Sequence, residues 1–214
     1  MDTAFAVLAF TSIFVIVDPI ANVITFVALT AGMGAKEVRK TNVRSVVTAC
    51  ALLIIFAMVG EALLTFFNIT VDYLRVAGGI LLLSVSYEMM HGRRSREGYT
   101  PEEAKEAAEK EDFSVFPLAM PMLTGPGAIT TVIILMKTAV TPENRMLIFA
   151  AIFITFALTF ALFAFAGKIH KVLGVTVSMV VMRVMGLFLA AISVQFIAVG
   201  IWNIFRMLAV PGAV

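Results

Sequence analysis

The sequence has little charge and few of the side chains that bind metals or catalyse reactions. Among its 214 residues there are two histidines, one cysteine and one tryptophan, and charged residues make up 14%. The lone cysteine, Cys50, excludes an intrachain disulfide, and so few cysteines and histidines exclude a zinc-type cluster. The chain also lacks the basic, aromatic surface that nucleic acid requires, so nucleic acid is not an expected partner.

Apolar residues dominate instead, at 61% of the chain, and the mean hydropathy is +1.01. These values lie far outside the range of soluble globular domains. A helix needs about 20 apolar residues to cross a hydrocarbon core about 30 Å thick. The sequence therefore predicts an all-α polytopic membrane protein in contact with the lipid bilayer. Its six predicted transmembrane helices span residues 3–34, 42–67, 72–90, 113–136, 146–167 and 184–205.

Most of the lysines and arginines lie in the segments that join spans one to two, three to four and five to six. Positively charged residues favour the cytoplasmic side of a membrane. Six crossings place both termini on the same side. The charge distribution therefore predicts a multi-pass protein of the cell (cytoplasmic) membrane with its N- and C-termini outside.

Two pairs of segments repeat along the chain at nearly the same interval. The segment "LRVAGGILL" from Leu74 matches "MRVMGLFLA" from Met182, and "VDPIANVIT" from Val17 aligns with "TGPGAITTV" from Thr124. The pattern predicts two three-helix repeats, residues 1–91 and 113–214, joined by a polar cytoplasmic connector, 92–112, with a short helix. An odd number of spans per repeat gives the second copy the opposite orientation, an inverted repeat common in secondary transporters.

The first and fourth spans contain helix-breaking residues near the membrane midplane, at equivalent repeat positions. Pro19 and Pro126 each remove a backbone donor, and glycines flank the second proline. Unwound backbone at membrane depth is tolerated only where it is buried in protein or lines a wet cavity. The two breaks therefore predict one polar binding site. Its candidate residues are Asp18, Pro19, Ile20, Ala21, Asn22, Thr124, Gly125, Pro126, Gly127 and Ala128.

The expected chemistry of this site follows from the ends of the broken helices. Half-helices that begin near Ile20 and Gly127 would aim free amides and positive dipole ends at the site, which suits a carboxylate. The opposing ends offer carbonyl oxygens, which suit an ammonium group or a cation. A small zwitterionic amino acid satisfies both requirements, and the glycines favour small substrates over large ones.

The polar residues of the spans allow two kinds of role. Asp18 is either a cap of the following half-helix or a group that couples a proton or sodium ion or binds an amine, and both roles are compatible. Asn22 has the same two alternatives. Arg75 and Arg183 lie near the starts of their spans, where a long cation reaches the interface, so they are expected to position helices. Asp72 is the expected partner of Arg75.

The segments "DPIAN" and "PLAMPMLTGPGAIT" resemble the signatures of the MarC family, which includes the SnatA-type neutral amino acid transporters, and the resemblance covers nearly the whole chain. It implies a 3+3 inverted repeat with both termini outside. For SnatA-like members it implies symport of glycine, alanine and related small neutral amino acids with a cation. Two positions depart from the family pattern: Ala21 replaces a glycine, and Ile24 stands where a second proline is expected.

Other functions fit the sequence less well. Both histidines lie at span ends and no serine stands in a hydrolase-type turn, so we expect neither an enzyme nor a cofactor. A passive channel or an exporter would use the same cavity without obligatory coupling and remains the alternative function. The broken spans are also compatible with re-entrant hairpins, although the charge distribution favours full crossings. The sequence does not indicate an oligomeric state.

Overall fold

The computed structural model of the protein describes residues 2–91 and 114–209, and all regular secondary structure within these ranges is helical. The predicted connector at 92–112 lies outside the described residues. The first predicted repeat contains α1 (Thr3–Val17), α2 (Pro19–Leu29), α3 (Ala35–Phe66) and α4 (Val71–Met90). The second contains the π-helix α5 (Ser114–Leu123), then α6 (Pro126–Thr138), α7 (Pro142–Ala164) and α8 (Ala166–Ala209).

Four segments of the described chain are long and apolar enough to cross a membrane. They are Thr3–Val27, Ala35–Phe66, Pro142–Ala164 and Met179–Ala209. The helix α6 is apolar but shorter, and α4 is not among the four. These findings support a polytopic membrane protein with several crossings, and the six-span count stays a prediction.

The fifth and sixth predicted spans, 146–167 and 184–205, lie in α7 and α8, and both helices contain a segment long and apolar enough to cross a membrane. The helix α7 ends at Ala164, Phe165 forms a turn, and α8 continues from Ala166 for 44 residues, a length of about 66 Å, so it begins well before the sixth apolar span. The segment that begins α8 contains no proline, so its lysines extend the helix rather than interrupt it.

The main hydrophobic core joins residues of α1, α2, α3, α5, α6 and α7. A second, smaller cluster centres on Leu82, Met89 and Leu189, and Ile16 and Ala21 pack against it. The most extensive helix pair is α4 with α8. These two helices run antiparallel, because Gly200 lies against Asp72 while Gly186 lies against Met89. Glycines at such seams allow close approach of helix backbones.

Candidate functional site

The first break consists of a single residue, Asp18. It ends α1 and begins α2, with φ 45° and ψ 60°, a left-handed conformation that aspartate tolerates better than most residues. Its Oδ1 accepts a hydrogen bond of 3.3 Å from the amide of Ala21. Pro19 follows at the first helical position, where its missing N–H is not needed. The capping role expected for Asp18 is therefore present, and its side chain is only 6% exposed.

Asn22 supplies a second side-chain hydrogen bond at the first break. In an uninterrupted helix the amide of Ala21 would bond to the carbonyl of Val17, but here that amide bonds to Asp18 instead. The Nδ2 group of Asn22 donates to the Val17 carbonyl at 2.9 Å. Asn22 thus satisfies a buried acceptor that the break would otherwise leave unpaired.

The second break lies at Thr124 and Gly125. The buried Thr124 hydroxyl donates at 3.0 Å to the carbonyl of Ala49, which ties this break to α3. Gly125 is the N-cap of α6 and has no side chain to accept from the amides that follow Pro126. The amides of Gly127 and Ala128, at the second and third positions of α6, therefore lack the side-chain cap that α2 has.

The structure brings the two breaks together. A Cβ atom built on Gly127 would lie 2.3 Å from Cδ2 of Leu82 and 3.7 Å from Cγ2 of Ile16. Ile16 is two residues before Asp18, so the start of α6 faces the end of α1, and Leu82 of α4 approaches the same point. Ala21 and Ala128 each follow a break closely in sequence. Ala21 packs against the second cluster, and Ala128 is buried in the main core.

Several buried polar groups lie in the helix bundle. Within the described residues, four buried side-chain atoms have no hydrogen-bond partner: Asn42 Oδ1, Glu88 Oε2, Thr131 Oγ1 and Thr155 Oγ1. The Nδ2 group of Asn42 donates to the carbonyl of Phe160 at 3.1 Å, so α3 and α7 are joined there by a polar contact. Unpaired buried polar atoms are costly, and they favour an interior that receives water or a polar ligand.

The two arginines singled out by the sequence lie in different surroundings. Arg75 pairs with Asp72 at 2.7 Å, as expected, and Asn203 of α8 donates to the same Asp72 oxygen at 2.9 Å. This cluster joins the start of α4 to the end of α8. Arg183 is exposed on α8. Neither arginine is among the residues that the structure brings together at the breaks.

One end of the helix bundle, which we call the Glu61 end, contains an open cleft of about 510 Å³. Its lining includes charged residues from three helices: Glu61, Asp72, Arg75 and Lys137. Glu61 forms a salt bridge with Lys137 of α6, and Arg145 of α7 lies 4.0 Å from its other carboxylate oxygen. These groups are half exposed, so the pairs contribute little stability, on the order of 0–1 kcal/mol.

The Phe163 end, where α2 and α7 finish, is packed differently. The rings of Phe26 and Phe163 stack with centroids 4.4 Å apart, and each residue is 1% exposed. Thr30, the residue that follows α2, is buried, and its hydroxyl donates to the carbonyl of Phe26. Among the described residues, aromatic packing fills the interior between α2 and α7 at this end, whereas the Glu61 end contains the open cleft.

Sequence reasoning identified the two breaks but not the side chains between them. Leu82 lies in a run of three leucines, which gives no sign that the middle one reaches a break. Ala49 contributes only a backbone carbonyl, for which sequence carries no signal. The nearest indication was Gly127 itself, because a glycine beside a proline predicts close approach of a neighbour.

Together, the long apolar helices and the buried helix breaks define an integral membrane protein that crosses the bilayer several times. The model of the MarC family of integral membrane proteins matches residues 3–205, and the chain belongs to that family. It is 36% identical to a UPF0056 membrane protein of Methanocaldococcus jannaschii over 94% of this chain and 98% of that one. It is 34% identical to YvbG of Bacillus subtilis over 97% and 99% of the two chains.

A third relative, the UPF0056 membrane protein YhcE of Escherichia coli, is 32% identical over 92% of this chain and 91% of that one. No solved structure matches the chain. The names of these relatives describe membrane proteins and state no activity.

Proposed function

We propose that the protein is a secondary active transporter of small neutral amino acids, such as glycine and alanine, coupled to a proton or sodium gradient. The observation that carries the proposal is the meeting of two helix breaks in the interior of a membrane protein, with Ile16 and Gly127 on either side. Irregular backbone at that depth favours a polar substrate site. The family resemblance of the two breaks supports amino acids as the substrate.

The helix packing supports the proposed 3+3 inverted repeat. The helix α1 packs on α7 as α5 packs on α3, and α2 packs on α8 as α6 packs on α4. Each contact is thus matched by one in which the two halves exchange roles. At the seam between α4 and α8, Gly79 lies against Ile197 and Gly186 against Met89. Adding the repeat interval of 108 to Met89 gives Ile197, and adding it to Gly79 gives Leu187, so the two contacts correspond to within one residue.

The unequal caps suggest how a zwitterion binds. Asp18 already occupies the amide of Ala21, whereas the amides of Gly127 and Ala128 have no side-chain cap. The start of α6 therefore suits the substrate carboxylate, and the Asp18 carboxylate suits the ammonium group or the coupling ion. Asp18 caps α2 and, in this proposal, also serves transport.

The difference between the two ends supports alternating access. In the proposed orientation, the termini and the Glu61 end lie on the outer side of the cell (cytoplasmic) membrane, and the Phe163 end faces the cytoplasm. The open cleft at the first and the Phe26–Phe163 stack at the second correspond to an outward-facing arrangement. Release inward would require the aromatic pair to separate and the cleft at the Glu61 end to close.

The test is uptake of radiolabelled glycine and alanine into proteoliposomes under imposed proton or sodium gradients, for the wild type and Asp18→Asn. We expect the wild type to concentrate at least one amino acid above equilibrium under one of the two gradients, and Asp18→Asn to lose this accumulation while retaining its fold by circular dichroism. Circular dichroism of both proteins separates a transport defect from misfolding.

Three other results would change the conclusion. Flux that only equilibrates the substrate would favour the passive channel, and efflux driven by an outward gradient alone would favour the exporter. Normal accumulation by Asp18→Asn would remove the coupling role of Asp18 and leave it as a helix cap.

A further inference from the structure

We propose that Leu82 of α4 sets the upper size limit of the transported amino acid. This inference rests on the proposed function, because it assigns the substrate side chain to the space beside the second break. The starting observation is the position of Leu82, which is 3% exposed and fills the space directly in front of Gly127. None of the residues identified from the sequence occupies that space.

The geometry leaves little room at this point. The position of a Cβ on Gly127 lies 2.3 Å from Leu82 Cδ2 and 3.1 Å from Leu82 Cγ, far inside van der Waals contact. On the other side, Ile16 Cγ2 lies 3.7 Å from the same point. Leu82 and Ile16 therefore border the start of α6, where the proposed substrate carboxylate binds.

An amino acid held by its carboxylate places its α-carbon within a few bonds of these side chains. Glycine and alanine add no more than a methyl group there, whereas valine and leucine add branched carbons. Protein interiors are close-packed, so extra methyl groups must displace neighbouring atoms. Because Leu82 belongs to the cluster of Met89, Leu189 and Ile16, its own movement is restricted by packing on α8 and α1.

The contacts of Leu82 differ from those of a leucine that only packs helices together. A leucine that only packs α4 would face another apolar helix surface, yet the atoms nearest to Gly127 are those of Leu82 at the helix break itself. Leu83, the next residue, is 39% exposed and points away from the interior. The two adjacent leucines differ in position only, which makes Leu83 a matched control.

The experiment compares uptake of glycine, alanine, valine and leucine into proteoliposomes by the wild type, Leu82→Ala and Leu83→Ala. We expect Leu82→Ala to raise leucine uptake relative to glycine by about tenfold or more, since one or more methylene groups of pocket space are worth that factor. Leu83→Ala should keep the wild-type ratio. Because truncation of a buried leucine can weaken the fold, Leu82→Val provides a milder variant with a smaller change in the same direction.

A second arm tests the contact independently. Gly127→Ala adds a methyl group against Leu82 and should lower alanine uptake relative to glycine by several-fold, and Gly127→Ala with Leu82→Ala should restore the ratio. A double-mutant cycle of this kind isolates the pair. If the wild type transports glycine but Leu82→Ala, Leu82→Val and the double variant all keep its selectivity, the size limit is set elsewhere. If the wild type transports no amino acid, the proposed function itself fails and the size limit fails with it.

Discussion

The two helix breaks occupy equivalent positions but solve the same hydrogen-bonding problem in opposite ways. At the first, Asp18 and Asn22 supply side-chain groups for the amide of Ala21 and the carbonyl of Val17. At the second, Gly125 supplies none, and the Thr124 side chain donates to the Ala49 carbonyl of α3. One break has side-chain partners for these two backbone groups and contains a carboxyl group, whereas the other has no side-chain cap at the start of its helix. A substrate that carries both a carboxylate and an ammonium group matches this difference between the two breaks.

The variant expected to have the largest effect removes the cap of the first break. Asp18→Ala loses the hydrogen bond to Ala21, worth about 0.5–2 kcal/mol, and places alanine in a left-handed conformation at a cost of roughly 1–2 kcal/mol. We expect the free energy of unfolding to fall by about 2–3 kcal/mol. It is measured in mixed micelles by circular dichroism, as the fraction of a denaturing detergent is increased. Asp18→Asn keeps both the cap and the tolerated conformation and serves as control. Equal losses in the two variants would show that the charge, not the cap, stabilises this break.

The next effect concerns the carbonyl that the first break exposes. Asn22→Leu removes the donor to the Val17 carbonyl and leaves a buried acceptor unpaired, at a cost of about 1–3 kcal/mol. The same unfolding measurement should show this loss without a change in helix content of the folded state. Wild-type stability of the variant would mean that water replaces the amide, and the first break would then be wetter than its burial indicates.

The corresponding change at the second break should be smaller. Thr124→Val keeps the shape of the side chain and removes its hydrogen bond to the carbonyl of Ala49, a residue of α3. We expect a loss of about 1 kcal/mol in the free energy of unfolding. Thr11→Val is the matched control, because its exposed hydroxyl bonds only to its own helix and should change stability by less than about 0.5 kcal/mol. An equal loss in both would indicate that the tie to α3 has no structural role.

The smallest effect on stability is a gain. Gly125→Ser introduces at the second break the kind of cap that the first break has, in an extended conformation with φ −75° that any residue adopts. An N-cap serine is expected to add a few tenths of a kcal/mol over glycine. In the same variant, glycine uptake should fall by about tenfold, because the serine oxygen competes for the amides of the substrate carboxylate. Higher stability with unchanged uptake would contradict the carboxylate site at the start of α6.

The sequence was most informative where backbone chemistry is restricted. Pro19 and Pro126 cannot donate a hydrogen bond, so both interruptions could be predicted, as could the pairing of Arg75 with Asp72 three residues away. The early start of α8 at Ala166 had no signal in the sequence, because charge alone does not end a helix that contains no proline. Leu82 could not be identified, since its role depends on which face of α4 meets α6, and the apolar run around it carries no periodic signal for that.

The single-residue break at Asp18 has a mechanical consequence. Since no linker separates α1 from α2, any change in the angle between them is confined to two backbone bonds, those of φ and ψ at Asp18. The same rotations swing the carboxylate away from the amide of Ala21. The first break is therefore a joint at which a change in the angle between α1 and α2 and the movement of the Asp18 carboxyl group away from Ala21 occur together, because no linker residue allows one without the other.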